Sequence, residues 1–288
     1  MTGGDDHVRV FTDGMITEPR LAHPEGLAVD RDGFVWCGGE LGQIYRISPD
    51  GTEREVVAST NGFCLGMAFD ATGDLFICDL AHAAVYRLEV RSGSLTSFAT
   101  GVPGHRLRIP NYPAFDSSGL LYVSDSWQMR EPGPGILRFR PDGSGDLWHA
   151  GPFDFANGLA LDQSAGLLYV AETFGQRVSA IEIRADGSAG ERTVLAELPE
   201  DYPDGLAVAT DGSVFVGCYQ PSRILRIDPS GAVRTVAEDV SAHLLAHPTN
   251  LAFTTDGLLA ANHGRWHLTH LETSHRGVPL PPTRQENQ

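Results

Sequence analysis

His23-Pro24-Glu25-Gly26-Leu27-Ala28-Val29 is the first of six copies of one short phrase. It returns as Phe63-Cys64-Leu65-Gly66-Met67-Ala68-Phe69, Ile109-Pro110-Asn111-Tyr112-Pro113-Ala114-Phe115, Phe155-Ala156-Asn157-Gly158-Leu159-Ala160-Leu161, Tyr202-Pro203-Asp204-Gly205-Leu206-Ala207-Val208 and His247-Pro248-Thr249-Asn250-Leu251-Ala252-Phe253. The third positions, which we call anchors, are Glu25, Leu65, Asn111, Asn157, Asp204 and Thr249, spaced 40, 46, 46, 47 and 45 residues apart. That period fits propeller blades and is too long for most solenoid repeats. Three residues after every anchor stands an alanine, as a crowded inner strand demands. Further on, each copy has a glycine, Gly33, Gly73, Gly119, Gly166, Gly212 or Gly257, where a tight hairpin calls for positive φ.

Apolar runs such as Leu120 to Val123, Arg223 to Ile227 and Val233 to Val236 then supply second, third and fourth strands. The fold class is therefore all-β, a six-bladed β-propeller with four-stranded antiparallel blades. The sixth copy runs short of a fourth strand. The alternating segment His7 to Phe11 is expected to complete that blade, so that the ring is closed by the N-terminal strand and its open edges are hidden. The 288 residues suffice for one all-β domain over residues 1–275, leaving 276–288 as a Pro-rich tail, a surface strap or a disordered end.

A formal charge of −16 opposes a phosphate backbone or an anionic membrane as partner. No run is long enough to span a bilayer, and Met1 to Asp6 lacks the pattern of a signal peptide. Cys37, Cys64, Cys78 and Cys218 form no C-x-x-C pair, which fits a reduced, cytoplasmic location. The sequence leaves the oligomeric state open.

Equivalent positions on radially repeated blades occupy equivalent places, so the anchors should ring one mouth of the channel. Glu25, Asn111, Asn157 and Asp204 offer oxygen donors of the kind hard cations prefer. Polar anchors can also merely cap strands or hydrate a channel. Two carboxylates facing each other in a narrow channel, however, repel unless a cation or a proton intervenes. With oxygen donors alone, one Ca²⁺ is the first choice, with Mg²⁺, Mn²⁺ or Zn²⁺ behind it.

These phrases, with the His247 to Phe253 segment, make the chain similar over nearly its whole length to the SMP-30/gluconolactonase/luciferin-regenerating-enzyme-like family of six-bladed propellers. The resemblance implies that Glu25, Asn157 and Asp204 bind a catalytic metal and that Asn111 lies at the metal or the substrate. A related squid-type phosphotriesterase propeller carries a similar Glu, Asn, Asn, Asp quartet. Sugar-lactonase members commonly show Arg-x-Asn-Asp in the third blade, gripping substrate hydroxyls. Here the run is Arg108-Ile109-Pro110-Asn111-Tyr112, with the arginine displaced by one residue and tyrosine in place of the acid.

The expected reaction is metal-assisted hydrolysis of a small-molecule lactone or related ester, with Asp204 either taking a proton from the attacking water or serving as a ligand only. Arg108, Asn111, Tyr112, Trp127 and Tyr219 are the expected substrate contacts. Further wall residues, among them Phe153, Phe155, Phe174 and Leu245, point to a substrate more apolar than a sugar lactone. The loop from Ser126 to Pro134 is a candidate lid. Rival readings keep the site for phosphotriester hydrolysis or a non-hydrolytic ring opening, or make the protein a binding propeller with a structural ion. His263, His267, His270 and His275 are read as strand and turn histidines rather than a transition-metal site, and Asp125 and Glu172 as solvated loop carboxylates.

Overall fold

The computed structural model describes residues 8–280. Six four-stranded antiparallel sheets follow one another around a channel. Blade one holds Leu27–Val29, Val35–Gly38, Gln43–Ile47 and Arg54–Ser59; blade two holds Cys64–Phe69, Leu75–Asp79, Ala84–Glu89 and Ser94–Ala99. Blade three consists of Pro110–Phe115, Leu121–Asp125, Gly135–Phe139 and Gly145–His149, and blade four of Ala156–Asp162, Leu167–Glu172, Arg177–Ile183 and Ala189–Glu197. Tyr202–Val208, Val214–Gln220, Arg223–Ile227 and Val233–Glu238 make blade five. Blade six takes Pro248–Phe253, Gly257–Asn262 and His267–Glu272 from the C-terminal part and Val8–Asp13 as its outermost strand, with Val8 opposite Leu271 and Asp13 opposite His267. The N-terminal strand thus closes the ring as expected; His7 lies outside the described residues.

Short-range chemistry makes the hairpins. In Asp30 to Phe34 the Asp30 carboxylate accepts the N–H groups of Asp32 and Phe34, and Gly33 takes φ 84°. The same turn recurs at Asp70 and Asp116. Gly257 departs from the pattern: it is absent from the positive-φ positions, and glycine is needed there because a Cβ would run into the Leu271 carbonyl oxygen.

The apolar interior is divided into six clusters, one at each boundary between blades. Tyr169 and Val178 meet Leu206 and Val216 between blades four and five, and Leu27 and Tyr45 meet Leu259 and Leu268 between blades one and six. Each blade is buried only because it has neighbours on both sides, so closure of the ring stabilises every blade.

Beneath the ring, Arg276 to Leu280 crosses toward blades one and two. The Arg276 carbonyl accepts from Thr210 N–H at 2.8 Å, Val278 N–H donates to the Val208 carbonyl at 3.1 Å, and Leu280 packs on the cluster of Trp36 and Phe69. Residues 281–288 of the tail lie outside the described residues.

Candidate metal and active site

Every inner strand but the first carries a β-bulge at its anchor. The ladder shifts register between Cys64 and Met67, Pro110 and Pro113, Ala156 and Leu159, Pro203 and Leu206, and Pro248 and Leu251. A bulge lifts a residue out of the ladder and re-aims its side chain. In blade one Glu25 N–H donates to the Gly38 carbonyl just ahead of the strand. The anchors also touch in sequence. A Cβ at Gly26, Gly66, Gly158 or Gly205 would collide with the carbonyl of Leu65, Asn111, Asp204 or Thr249 respectively. Ser124 Oγ donates to the Asn157 carbonyl, and Thr249 Oγ1 to the Glu25 carbonyl, which completes the circle. Glycine after the anchor is thus what lets neighbouring inner strands approach.

Glu25, Asn111, Asn157 and Asp204 are all buried. Burial and the charge of Glu25 push the Asp204 carboxyl well above the ordinary range. Asn157 Oδ1 and Asp204 Oδ1 are buried without a hydrogen-bond partner. Orphaned oxygens on neighbouring anchors, with a second carboxylate close enough to raise the pKa of the first, fit a hard cation: the ion would take up both lone pairs and the charge conflict. Among the described residues no group of three or more His, Cys, Asp and Glu side chains could hold a metal ion, so a cation here depends on the amides. Thr249 is committed to the backbone of blade one and Leu65 is packed among blades two and three, so neither joins the donor set.

A second ring surrounds the first. Glu40, Leu80, Ser126, Thr173, Tyr219 and His263 follow their anchors by 14 to 16 residues. In blades two, three, four and six their N–H groups donate to the residue two before the anchor: Leu80 to Phe63, Ser126 to Ile109, Thr173 to Phe155 and His263 to His247. His263 Nδ1 stands 3.1 Å from Glu25 Oε2, and that carboxylate raises the imidazole's pKa. Tyr219 stacks on His247 at 4.6 Å between ring centroids, while Phe63 stacks on His263 at 5.8 Å. Sequence reading missed His263 as a site residue by grouping it with His267, His270 and His275. Those three face the Leu244 carbonyl, Asp256 and Asp211. The offset of 14 to 16 residues from anchor to second ring is the signal that would have separated it.

The expected substrate contacts divide. Tyr219 and Trp127 are half-buried, and Arg108 is exposed with its guanidinium 3.6 Å above the Trp127 ring. Tyr112 lines a cavity of about 850 Å³ that opens among the other ends of the inner strands, alongside Ala114, Ala160 and Val278. Polar groups at its rim have structural duties, Asp30 binding Trp36 Nε1 and Asp256 facing His270. The orphaned oxygens of Asn157 and Asp204 belong to the anchors, and the unpartnered amide of Asn250 to the residue after the sixth anchor. Phe153 and Leu245 are packed between blades rather than walling the mouth. Phe155 and Phe174 remain half-buried, 5.0 Å apart, and half-buried Tyr202, which sequence reading did not single out for the wall, lies 6.3 Å from Phe174. The lid candidate is tied down at one end by reciprocal bonds between Gly133 and Phe153.

Asp125 and Glu172 are fully buried rather than solvated. Asp125 accepts the N–H of Ile109, and Glu172 accepts that of Asp154, so each fixes the loop leading into its anchor strand. Asp79 does the same for Phe63, and the Asn262 amide oxygen for Ala246.

The geometry defines a class: a closed six-bladed propeller with an oxygen-lined ring at one mouth. Within that class the chain belongs to the SMP-30/Gluconolactonase/LRE-like family, whose model matches residues 42–260. Residues 14–47 also match a strictosidine synthase-like N-terminal region. A lactonase, drp35, of Staphylococcus saprophyticus is 24% identical over 256 residues, covering 83% of this chain and 78% of its own. Among solved structures, a gluconolactonase of Xanthomonas campestris superposes with TM-score 0.78 at 22% identity, over 93% of this chain and 90% of that one. A calcium-binding protein, regucalcin, of Agrobacterium tumefaciens gives TM-score 0.74 at 17% identity, over 95% and 97%.

Proposed function

We propose that the protein is a hydrolase that opens a lactone or a related ester at the anchor mouth, with one divalent cation, Ca²⁺ by preference, held by Glu25, Asn111, Asn157 and Asp204. The single observation that carries this reading is the pair of buried, unpartnered oxygens on Asn157 and Asp204 beside the Glu25 charge. Family membership and the lactonase and gluconolactonase names of relatives support the bond type. When bound, the cation supplies Lewis-acid polarisation of the ester carbonyl.

The chain's own residues do the rest. Asp204 would offer one oxygen to the cation and the other to the proton of the attacking water, and would return that proton to the alkoxide oxygen released when the acyl C–O bond breaks. His263 stands 3.1 Å from Glu25 and gives that carboxylate a charge-complementary neighbour. Tyr219 and the half-buried Phe63, Phe155 and Phe174 present aromatic surface to the substrate, which favours an acyl or alkyl portion more apolar than a sugar; such contact is worth about 25 cal/mol for each Å² buried. Arg108, drawn over Trp127, is turned to the rim and away from the role of hydroxyl clamp.

A panel of aromatic, alkyl and sugar lactones and esters, assayed with each divalent ion at matched pH, tests the reading. Apolar lactones are expected to show the higher kcat/KM. Faster turnover of gluconolactone would remove the apolar preference while leaving the reaction class, whereas no turnover of any lactone or ester would move the site to phosphotriester chemistry or to binding.

A further inference from the structure

We infer that Ser126 and Thr173 are positioning residues that fix the polarity of the two amide anchors, so that Asn111 and Asn157 can face a cation only with oxygen. This rests on the cation site proposed above and adds two residues to it.

A hydroxyl has one hydrogen to donate. Thr173 Oγ1 gives its hydrogen to the Pro203 carbonyl at 2.7 Å, and Ser126 Oγ gives its own to the Ala156 carbonyl at 2.6 Å. Each hydroxyl is then an acceptor alone toward any third group. Asn157 Nδ2 lies 3.1 Å from Thr173 Oγ1 and Asn111 Nδ2 lies 3.0 Å from Ser126 Oγ. Turning either amide over would set oxygen against oxygen with no hydrogen between them, so the order carbonyl, hydroxyl, NH₂ permits one orientation only. In that orientation Oδ1 points away from the second ring, and Asn157 Oδ1 is buried without a partner.

An amide is a neutral donor whose two ends differ in sign. With the oxygen inward it ligates a cation; with NH₂ inward it repels one. Because the receiving carbonyls belong to the following blade, the same hydroxyls also tie blade three to four and blade four to five. At three anchors the second-ring residue matches the anchor's chemistry: apolar Leu65 has apolar Leu80, and the amides Asn111 and Asn157 have the small hydroxyls of Ser126 and Thr173, while the carboxylate Glu25 is faced by His263 from blade six.

The test is calorimetric titration of the full chain with CaCl₂, with each variant's melting temperature recorded in chelator. Thr173→Val keeps the shape but lacks the hydroxyl, so cation affinity should fall about 10-fold to 100-fold. Thr173→Ser restores the hydroxyl and should return affinity to about the wild-type value. Ser126→Ala, with Ser126→Thr as its rescue, repeats the comparison at Asn111, and serves should Thr173→Val melt far below wild type in chelator. Loss in Val and Ala with recovery in Ser and Thr supports the inference. Wild-type affinity in Thr173→Val and Ser126→Ala, or equal loss in the rescue variants, overturns it while leaving the cation site in place. Absence of Ca²⁺ binding by the wild type overturns the site itself, and the inference with it.

Discussion

Burial and the charge of Glu25 raise the pKa of the Asp204 carboxyl, and the proposed cation would remove that conflict. At an effective dielectric of about 20, two like charges 4 Å apart repel by about 4 kcal/mol, and an ion between them reverses the sign. Glu25→Gln removes one of the two charges; cation affinity measured by calorimetry should fall about tenfold or more, which is about 1.4 kcal/mol. An unchanged affinity would take Glu25 out of the site. Asp204→Asn preserves shape and one oxygen donor but cannot accept a proton, so turnover should vanish with the circular dichroism spectrum intact; a near wild-type kcat with saturating cation would place the base elsewhere. At this scale the anchors were legible in the sequence because each sits in the same phrase. His263 was not, because its partner Glu25 is 238 positions away in the chain and the two meet only when blade six closes on blade one.

Between residues and ring stand the strands and the loops that feed them. Burial pushes the Glu172 carboxyl up, but hydrogen bonds from Arg177 and Ser179 and the Arg177 charge outweigh it and leave the group below its ordinary value. The unfolded chain should titrate Glu172 near the ordinary glutamate value of about 4.3, above the native one. The unfolded state therefore binds more protons in between: the stabilisation is complete above that value and is lost as pH falls through the native pKa. Glu172→Gln leaves Arg177 without its buried partner and should cost about 3 kcal/mol in urea unfolding at pH 7. The difference from wild type should shrink as pH drops below about 4; a difference that grows on acidification would contradict the assignment. Gly158→Ala would push a methyl into the Asp204 carbonyl, where only backbone can yield, costing about 1 to 3 kcal/mol and displacing an anchor. A melting temperature and cation affinity both equal to wild type would show that the strands have slack there. Strands and five of the six hairpin glycines could be read from the repeat, whereas the bulges could not. A bulge leaves no mark in a phrase whose spacing it does not change, and in blades two to six it re-aims the anchor side chain.

Closure organises the whole molecule, since six inter-blade clusters require six neighbours. Removal of residues through Asp13 strips the outermost strand from blade six and leaves the His267–Glu272 strand as an open edge. The truncated chain should melt well below wild type and aggregate during heating. The architecture was legible from the six phrases alone. The division of labour between the channel's two ends was not, because alanines and anchors are equally periodic; burial and hydrogen bonding distinguish the donor ring from the alanine-walled cavity crossed by Arg276 to Leu280. The central claim, that a cation in the anchor ring serves hydrolysis and not the fold, has a direct measurement: the initial rate on an apolar lactone before chelation, after it and after Ca²⁺ is restored, with the far-UV spectrum taken on the same samples. The rate should be lost and recovered while the spectrum stays constant. A full rate in excess chelator, or a rate lost only together with the fold, would contradict the claim.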